Sequence, residues 1–101
     1  MSKIQKQEAR KMLGNVPQEN SFRCCDGSVY NNMLELGVAF GNMSDQVYTY
    51  HANEQKNDFS NWVRDIIKDE KLAGDLLKAT NRQQAAGTVA ERLAILKKTA
   101  G

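Results

Sequence analysis

Cys24 and Cys25 are the only thiols in this sequence, and His51 is the only imidazole. Three soft ligands fall short of a closed structural zinc site, which takes four in tetrahedral array. Neighbouring residues of a strand also point to opposite faces, which would splay the two thiols. The chain is therefore read as metal-free and without a cofactor. A disulfide between adjacent residues strains the peptide inside its small ring. The thiols are expected free and packed as small apolar groups, in keeping with a reducing compartment. Cysteine–histidine catalysis needs a thiolate, a base and an orienting group in contact, and nothing local marks an activated thiol. Asp65 and Asp69 stand one helical turn apart, but such pairs are common on solvated faces. No glycine-rich phosphate loop or dinucleotide fingerprint is present. These observations favour a protein that is not an enzyme.

Binding chemistry has two candidate surfaces. The first is a corner made by Tyr48, Tyr50, His51, Asn57 and Asp58. His51 precedes the Asn57-Asp58 start of a helix, where a hydrogen bond from its ring would close the loop. The same place offers free amides and the positive end of the helix dipole to an acidic side chain or phosphate if the caps leave them open. Tyrosines at a rim suit an interface. The second surface is basic. Lys3, Lys6 and Arg10 at i, i+3 and i+7 form one stripe. With Arg82, Arg92, Lys97 and Lys98 it could contact phosphates. Interleaving by Glu8, Glu19, Asp75 and Glu91 would weaken it.

The element that must hold these residues is Asn57–Ile67. Phe59, Trp62, Val63, Ile66 and Ile67 fall at i, i+3, i+4, i+7 and i+8, the apolar stripe of an amphipathic helix. Asn57 or Asp58 caps its start, and it ends near Lys68. Around this hub the spacing predicts a helix over 2–13, stopped by Gly14, with a thin apolar face of Ile4, Met12 and Leu13. Asp26-Gly27 predicts a hairpin joining 22–25 to 28–30. A helix follows over 31–42, apolar on two sides: Met33, Leu36, Gly37 and Phe40 on one, Leu34, Val38 and Gly41 on the other. That pattern predicts burial on both. Gly37 admits a close neighbouring helix. Ser44 caps a piece over 45–52 whose residues favour strand but whose cap and spacing favour helix. Asp69 caps the next helix, with Leu72, Ala73, Leu76 and Leu77 inward. Thr80 and Gln83 have capping-box spacing before a last helix, with Ala86, Val89, Ala90, Leu93 and Leu96 inward. The expected fold is mainly α: a bundle of four to five helices with a small hairpin near residues 22–30.

Three runs resemble a family of small prokaryotic, largely archaeal, modules with no established activity. They are F-R-C-C-D-G, L-E-L, and the stretch from M-S-D-Q-V-Y-T-Y-H-A-N to N-D-F-S-N-W-V-R-D-I-I. The family pattern is F-x-x-x-D-G, a leucine-rich helix, then Y-H-x-N-x-x-x-N-D-F-[AS]-N-W-[VI]-x-D. Here the last part falls on Tyr50, His51, Asn53, Asn57, Asp58, Phe59, Asn61, Trp62 and Asp65. The likeness spans about residues 22–78 and implies a shared fold rather than an activity. The two cysteines fall where that pattern is merely apolar.

At 101 residues, with 41% apolar and 26% charged side chains, the chain has the balance of one folded domain, 1–101, with 1–14 as a helix at its edge. A net charge of +2 is low for a domain that coats DNA. No apolar run reaches the roughly 20 residues that span a bilayer, and no apolar segment follows the basic start, so a cytoplasmic location is expected. The functional expectation is a non-enzymatic binding or adaptor module with a protein partner. The alternative is a nucleic-acid- or ribosome-associated protein using Lys3, Lys6, Arg10, Lys97 and Lys98.

Overall fold

Local caps start the helices of this protein where side-chain oxygens can reach the first-turn amides. Asn32, Ser44, Asn57, Asp69 and Asn81 each accept a hydrogen bond from the backbone N–H three residues on. In a computed structural model that describes residues 4–101, these caps open α2 (Met33–Asn42), α3 (Asp45–His51), α4 (Asp58–Trp62), α5 (Glu70–Lys78) and α6 (Arg82–Ala100). Before them come α1 (Lys6–Leu13), a single turn of 3-10 helix at Gln18–Asn20, and the strands β1 (Phe22–Arg23) and β2 (Val29–Tyr30). The protein is mainly α with one small antiparallel hairpin. Among the described residues there are six α-helices rather than four to five, because the ambiguous piece after Ser44 is itself helical. The last cap is displaced by one residue from the expected Thr80. Asn81 accepts from Gln84 N, while Thr80 gives both its N–H and its hydroxyl to Gln84 Oε1.

One core runs through all six helices and the hairpin. Phe59, Trp62, Val63 and Ile67 are buried in it, and Ile66 is half-buried. The stripe leaves regular α geometry at Val63. Residues Val63–Ile67 form a π turn in which Lys68 N donates to Val63 O at 2.8 Å. Lys68 ends the helix in the left-handed region, at φ 72°. The 45–52 segment is helix, with Tyr48 and His51 on its buried side. α1 packs onto the core through one face. Ala9 is fully buried, and Arg10 Nε donates to Ala100 O at 3.3 Å. Lys3 lies outside the described residues. No helix of the described residues is long and apolar enough to cross a membrane.

Three expected burials are corrected. α2 buries Met33, Leu36, Ala39 and Phe40, but Leu34 and Val38 on its other side are 51% and 55% exposed. On α5, Leu77 is exposed, beyond the reach of any covering element. The inward face of α6 is Ala85, Val89, Arg92, Leu93 and Leu96; Ala86 is half-buried and Ala90 faces solvent.

Gly37 is where α2 and α6 meet. A Cβ there would sit 2.9 Å from Val89 Cγ1. Valine on a helix is stiff about χ1 and cannot swing aside. Gly37→Ala should gain about 1 kcal/mol of helix propensity and lose about 1–3 kcal/mol to overpacking, a net loss in chemical denaturation. Paired with Val89→Ala, it should cost less than the sum of the two single changes. Strictly additive losses would mean that these groups never meet.

Candidate functional site

The hairpin turn and the α3–α4 loop meet at His51. Asp26-Gly27 does not form a two-residue turn. Cys24 N donates to Ser28 O at 2.8 Å, and Gly27 N donates to Cys24 O at 3.0 Å. The loop is therefore Cys25-Asp26-Gly27, closed by Gly27 at φ 92°, a conformation glycine adopts without strain. Asp26 Oδ1 accepts from Ser28 N and stiffens it. Cys25 stands on the corner of the turn rather than in a strand, which removes the geometric reason for the two thiols to diverge. Cys24 is buried and Cys25 exposed, both as free thiols.

His51 is buried among Phe22, Phe59 and Tyr50, with ring centroids 4.9–5.4 Å away. Its Nε2 accepts from Cys25 N at 3.0 Å, and its Nδ1 donates to Asp58 Oδ2 at 2.9 Å. An acceptor at Nε2 assigns the ring proton to Nδ1. One imidazole thus fastens the hairpin to the start of α4. The loop between is wound on Asn53. Its side-chain Oδ1 accepts from Gln55 N and Lys56 N, and its side-chain Nδ2 donates to Thr49 O. Ala52 and Asn57 pair across the base of the loop.

The five residues expected to form a docking corner do come together, but His51, Asn57 and Asp58 spend their polar groups within the fold: His51 and Asp58 on each other, and Asn57 on Ser60 N and the carbonyl of Leu76. One of the expected free amides is taken, since Asn57 accepts from Ser60 N. Asp58 holds His51 and Lys56, the latter at 3.0 Å. Tyr48 is buried and stacks on Phe59. Only Tyr50, 59% exposed and beneath Lys56 Nζ at 4.9 Å from its centroid, faces outward. Burial raises the Asp58 pKa, but the hydrogen bond from His51 and then Lys56 outweigh it and hold the carboxyl below its ordinary value. A depressed acid contributes stability that is present above its unfolded pKa of about 3.9 and is lost as pH falls through the folded value. Asp58→Asn should therefore lower Tm near pH 6, and the gap from wild type should narrow between about pH 4 and 2. A gap that stays constant to pH 2 would show that the charge contributes nothing.

The cysteine is not set up as a nucleophile. Desolvation, then the neighbouring Cys24 and the Asp26 carboxylate, push the Cys25 thiol above its ordinary value. The His51 nitrogen on its side is occupied by a backbone N–H rather than by the thiol. Of the suggested carboxylate pair, Asp65 lies on the surface paired with Arg64. Asp69 is fully buried, caps α5, and takes both arms of Arg92 at 2.8 and 2.9 Å.

The basic surface keeps part of its expected membership. Arg92 is spent on Asp69, and Arg82 on Asp45 and the carbonyl of Phe40. Lys6, Arg10, Lys97 and Lys98 are exposed, and the Arg10–Ala100 contact brings the two ends of the chain side by side. Elsewhere, Leu34 and Val38 open onto a groove of about 510 Å3 between α2 and the hairpin, which Val29, Ala39 and Met43 also line. Asp26 and Glu35 stand at its rim, and no cation lines it among the described residues. Sequence reasoning missed this groove, although Leu34 and Val38 were visible as a second apolar side of α2. Comparison of the chain with protein families, curated proteins and solved structures finds no match.

Proposed function

We propose that this protein is a non-enzymatic binding module that takes a peptide segment of a partner protein into the groove between α2 and the hairpin. The observation that carries this reading is the exposure of Leu34 and Val38 at i, i+4 beside the exposed Val29, all on one concavity. Small soluble domains rarely leave apolar side chains contiguous without an occupant. The acidic rim of Asp26 and Glu35 favours an aliphatic segment flanked by lysine or arginine. The fastened state of His51 and Asp58 also speaks for a scaffold rather than a reacting centre. Selection from a displayed peptide library should enrich paired aliphatic residues with flanking basic ones. Leu34→Asp with Val38→Asp, both on exposed positions, should abolish that binding while the melting temperature stays near wild type. Unchanged binding in the folded double variant would refute the groove, and self-association of the wild type lost in that variant would identify a second copy as occupant instead.

Nucleic-acid association is the second reading, supported by the bond from Arg10 to Ala100, which sets α1, with Lys6 and Arg10, against the end of α6 that carries Lys97 and Lys98. It predicts binding to structured RNA or duplex DNA that weakens steeply with salt, with a log–log slope falling by about 0.9 for each phosphate contact removed. Replacing those four cations by alanine should flatten the slope. No binding at about 50 mM salt would end this reading, because low salt is where non-specific binding appears.

A further inference from the structure

Cys24 Sγ, Cys25 Sγ and a ring nitrogen of His51 lie within 4.8 Å of one another. Asp58 engages Nδ1, and Nε2 faces the hairpin turn, so Nε2 is the nitrogen on the thiol side. We infer that these three side chains form a binding site for a thiophilic divalent cation of the zinc class, with a solvent-facing fourth position. This goes beyond the peptide-binding reading and does not depend on it.

Two changes would complete the site: the ligand atoms draw in from within 4.8 Å, and the Cys25 N–H leaves the His51 Nε2 lone pair that it now holds. Zinc takes sulfur at about 2.3 Å and imidazole nitrogen at about 2.0–2.1 Å, which sets tetrahedral ligand atoms about 3.5–4 Å apart. Cys25, exposed on the corner of the turn, can make both changes without disturbing the core. His51 is prepared in the way metal-bound histidines are: a carboxylate on the far nitrogen fixes the proton there and aims the lone pair of the near one. Asp26 adds negative charge beside both thiols, which favours a dication. On binding, each thiol loses its proton to solvent as its sulfur bonds the metal. His51 keeps the Nδ1 proton and exchanges the N–H of Cys25 for the cation. With two sulfurs and one nitrogen bound, water takes the remaining position, a donor set that zinc accepts.

The test is titration of the reduced, chelator-treated full chain with Co2+, followed by competition with Zn2+. The expected result is one equivalent of Co2+ giving sulfur-to-cobalt charge transfer in the near ultraviolet and the visible bands of four-coordinate cobalt, all bleached by Zn2+. Cys25→Ser, which changes an exposed side chain, should keep the fold by circular dichroism and lose most of the charge-transfer absorption. Asp58→Asn should weaken binding by about 10–100-fold, the usual effect of removing a carboxylate behind a ligating histidine. Absence of a saturable one-to-one spectrum overturns the proposal. So does full absorption in Cys25→Ser. Wild-type affinity in folded Asp58→Asn removes His51 from the ligands and overturns the three-ligand site.

Discussion

Arg92→Ala is expected to destabilise the protein by about 3–5 kcal/mol, the range for removing one partner of a buried ion pair. Arg92 lies on the inner face of α6, and its guanidinium grips Asp69 with two nitrogens, Nε and Nη2. Truncation leaves a carboxylate in the core with no counter-charge, and that uncompensated charge, more than the lost contact, sets the size of the effect. For a domain of this length the fall in Tm should exceed about 12 °C. Asp69 also caps α5 through Leu72 N, so its replacement has two consequences that need separating. Asp69→Asn preserves a capping oxygen while removing the charge. The double variant Asp69→Asn with Arg92→Met should recover most of the loss, because exchanging a buried pair for neutral groups is often close to neutral. Thermal unfolding of the three variants checks this. A double variant no better than Arg92→Ala would mean that the two charges are not coupled and that Arg92 matters for its packed stem alone.

Arg92 also shows what the sequence conceals. The true inner register of α6 is Ala85, Val89, Arg92 and Leu96, and a cation in the middle of it reads as a solvent face. Counting apolar residues alone shifted the face toward Ala86 and Ala90. Caps were legible because they are local: a side-chain oxygen and an amide three residues away suffice, and Ser44, Asn57 and Asp69 all behave so. Cover is not local. Leu34, Val38 and Leu77 have the same apolar character as their buried neighbours, and only the placement of other elements leaves them bare. At the hairpin, Asp26-Gly27 marked the turn correctly. Whether the loop holds two residues or three depended on where the ladder closed, and this decided the directions of Cys24 and Cys25. The bond from Nδ1 of His51 toward Asp58 was foreseeable from the loop it closes. The bond from Cys25 N to Nε2 spans 26 positions and had no signal in the sequence.

The other large effect is expected at Phe59. Its ring centroid lies 4.9 Å from that of Phe40, 5.1 Å from Phe22, 5.4 Å from His51 and 5.8 Å from Tyr48, so α2, β1 and α3 all meet α4 on one side chain. Phe59→Ala should cost about 3–5 kcal/mol, since truncating a buried aromatic ring loses its transfer energy and leaves a cavity. Each favourable ring pair adds about 0.5–1.5 kcal/mol beyond burial, which places the expected loss in the upper part of that range. Trp62→Ala should fall in the same class, but it releases a different part of the molecule. Trp62 Nε1 donates to Asn20 O at 2.8 Å and ties the 3-10 turn to α4. The two variants are separated by amide hydrogen exchange. In Phe59→Ala the His51 ring loses its floor, so the Cys25 amide bonded to Nε2 should exchange faster than global unfolding accounts for. In Trp62→Ala that amide should slow or quicken only with global stability, while the 3-10 turn opens. If Phe59→Ala melts within a few degrees of wild type, the neighbouring rings have closed over the cavity and Phe59 is not the hub. If it is destabilised yet Cys25 exchange follows global stability alone, the hairpin is held by the His51–Asp58 bond and not by the aromatic floor beneath it.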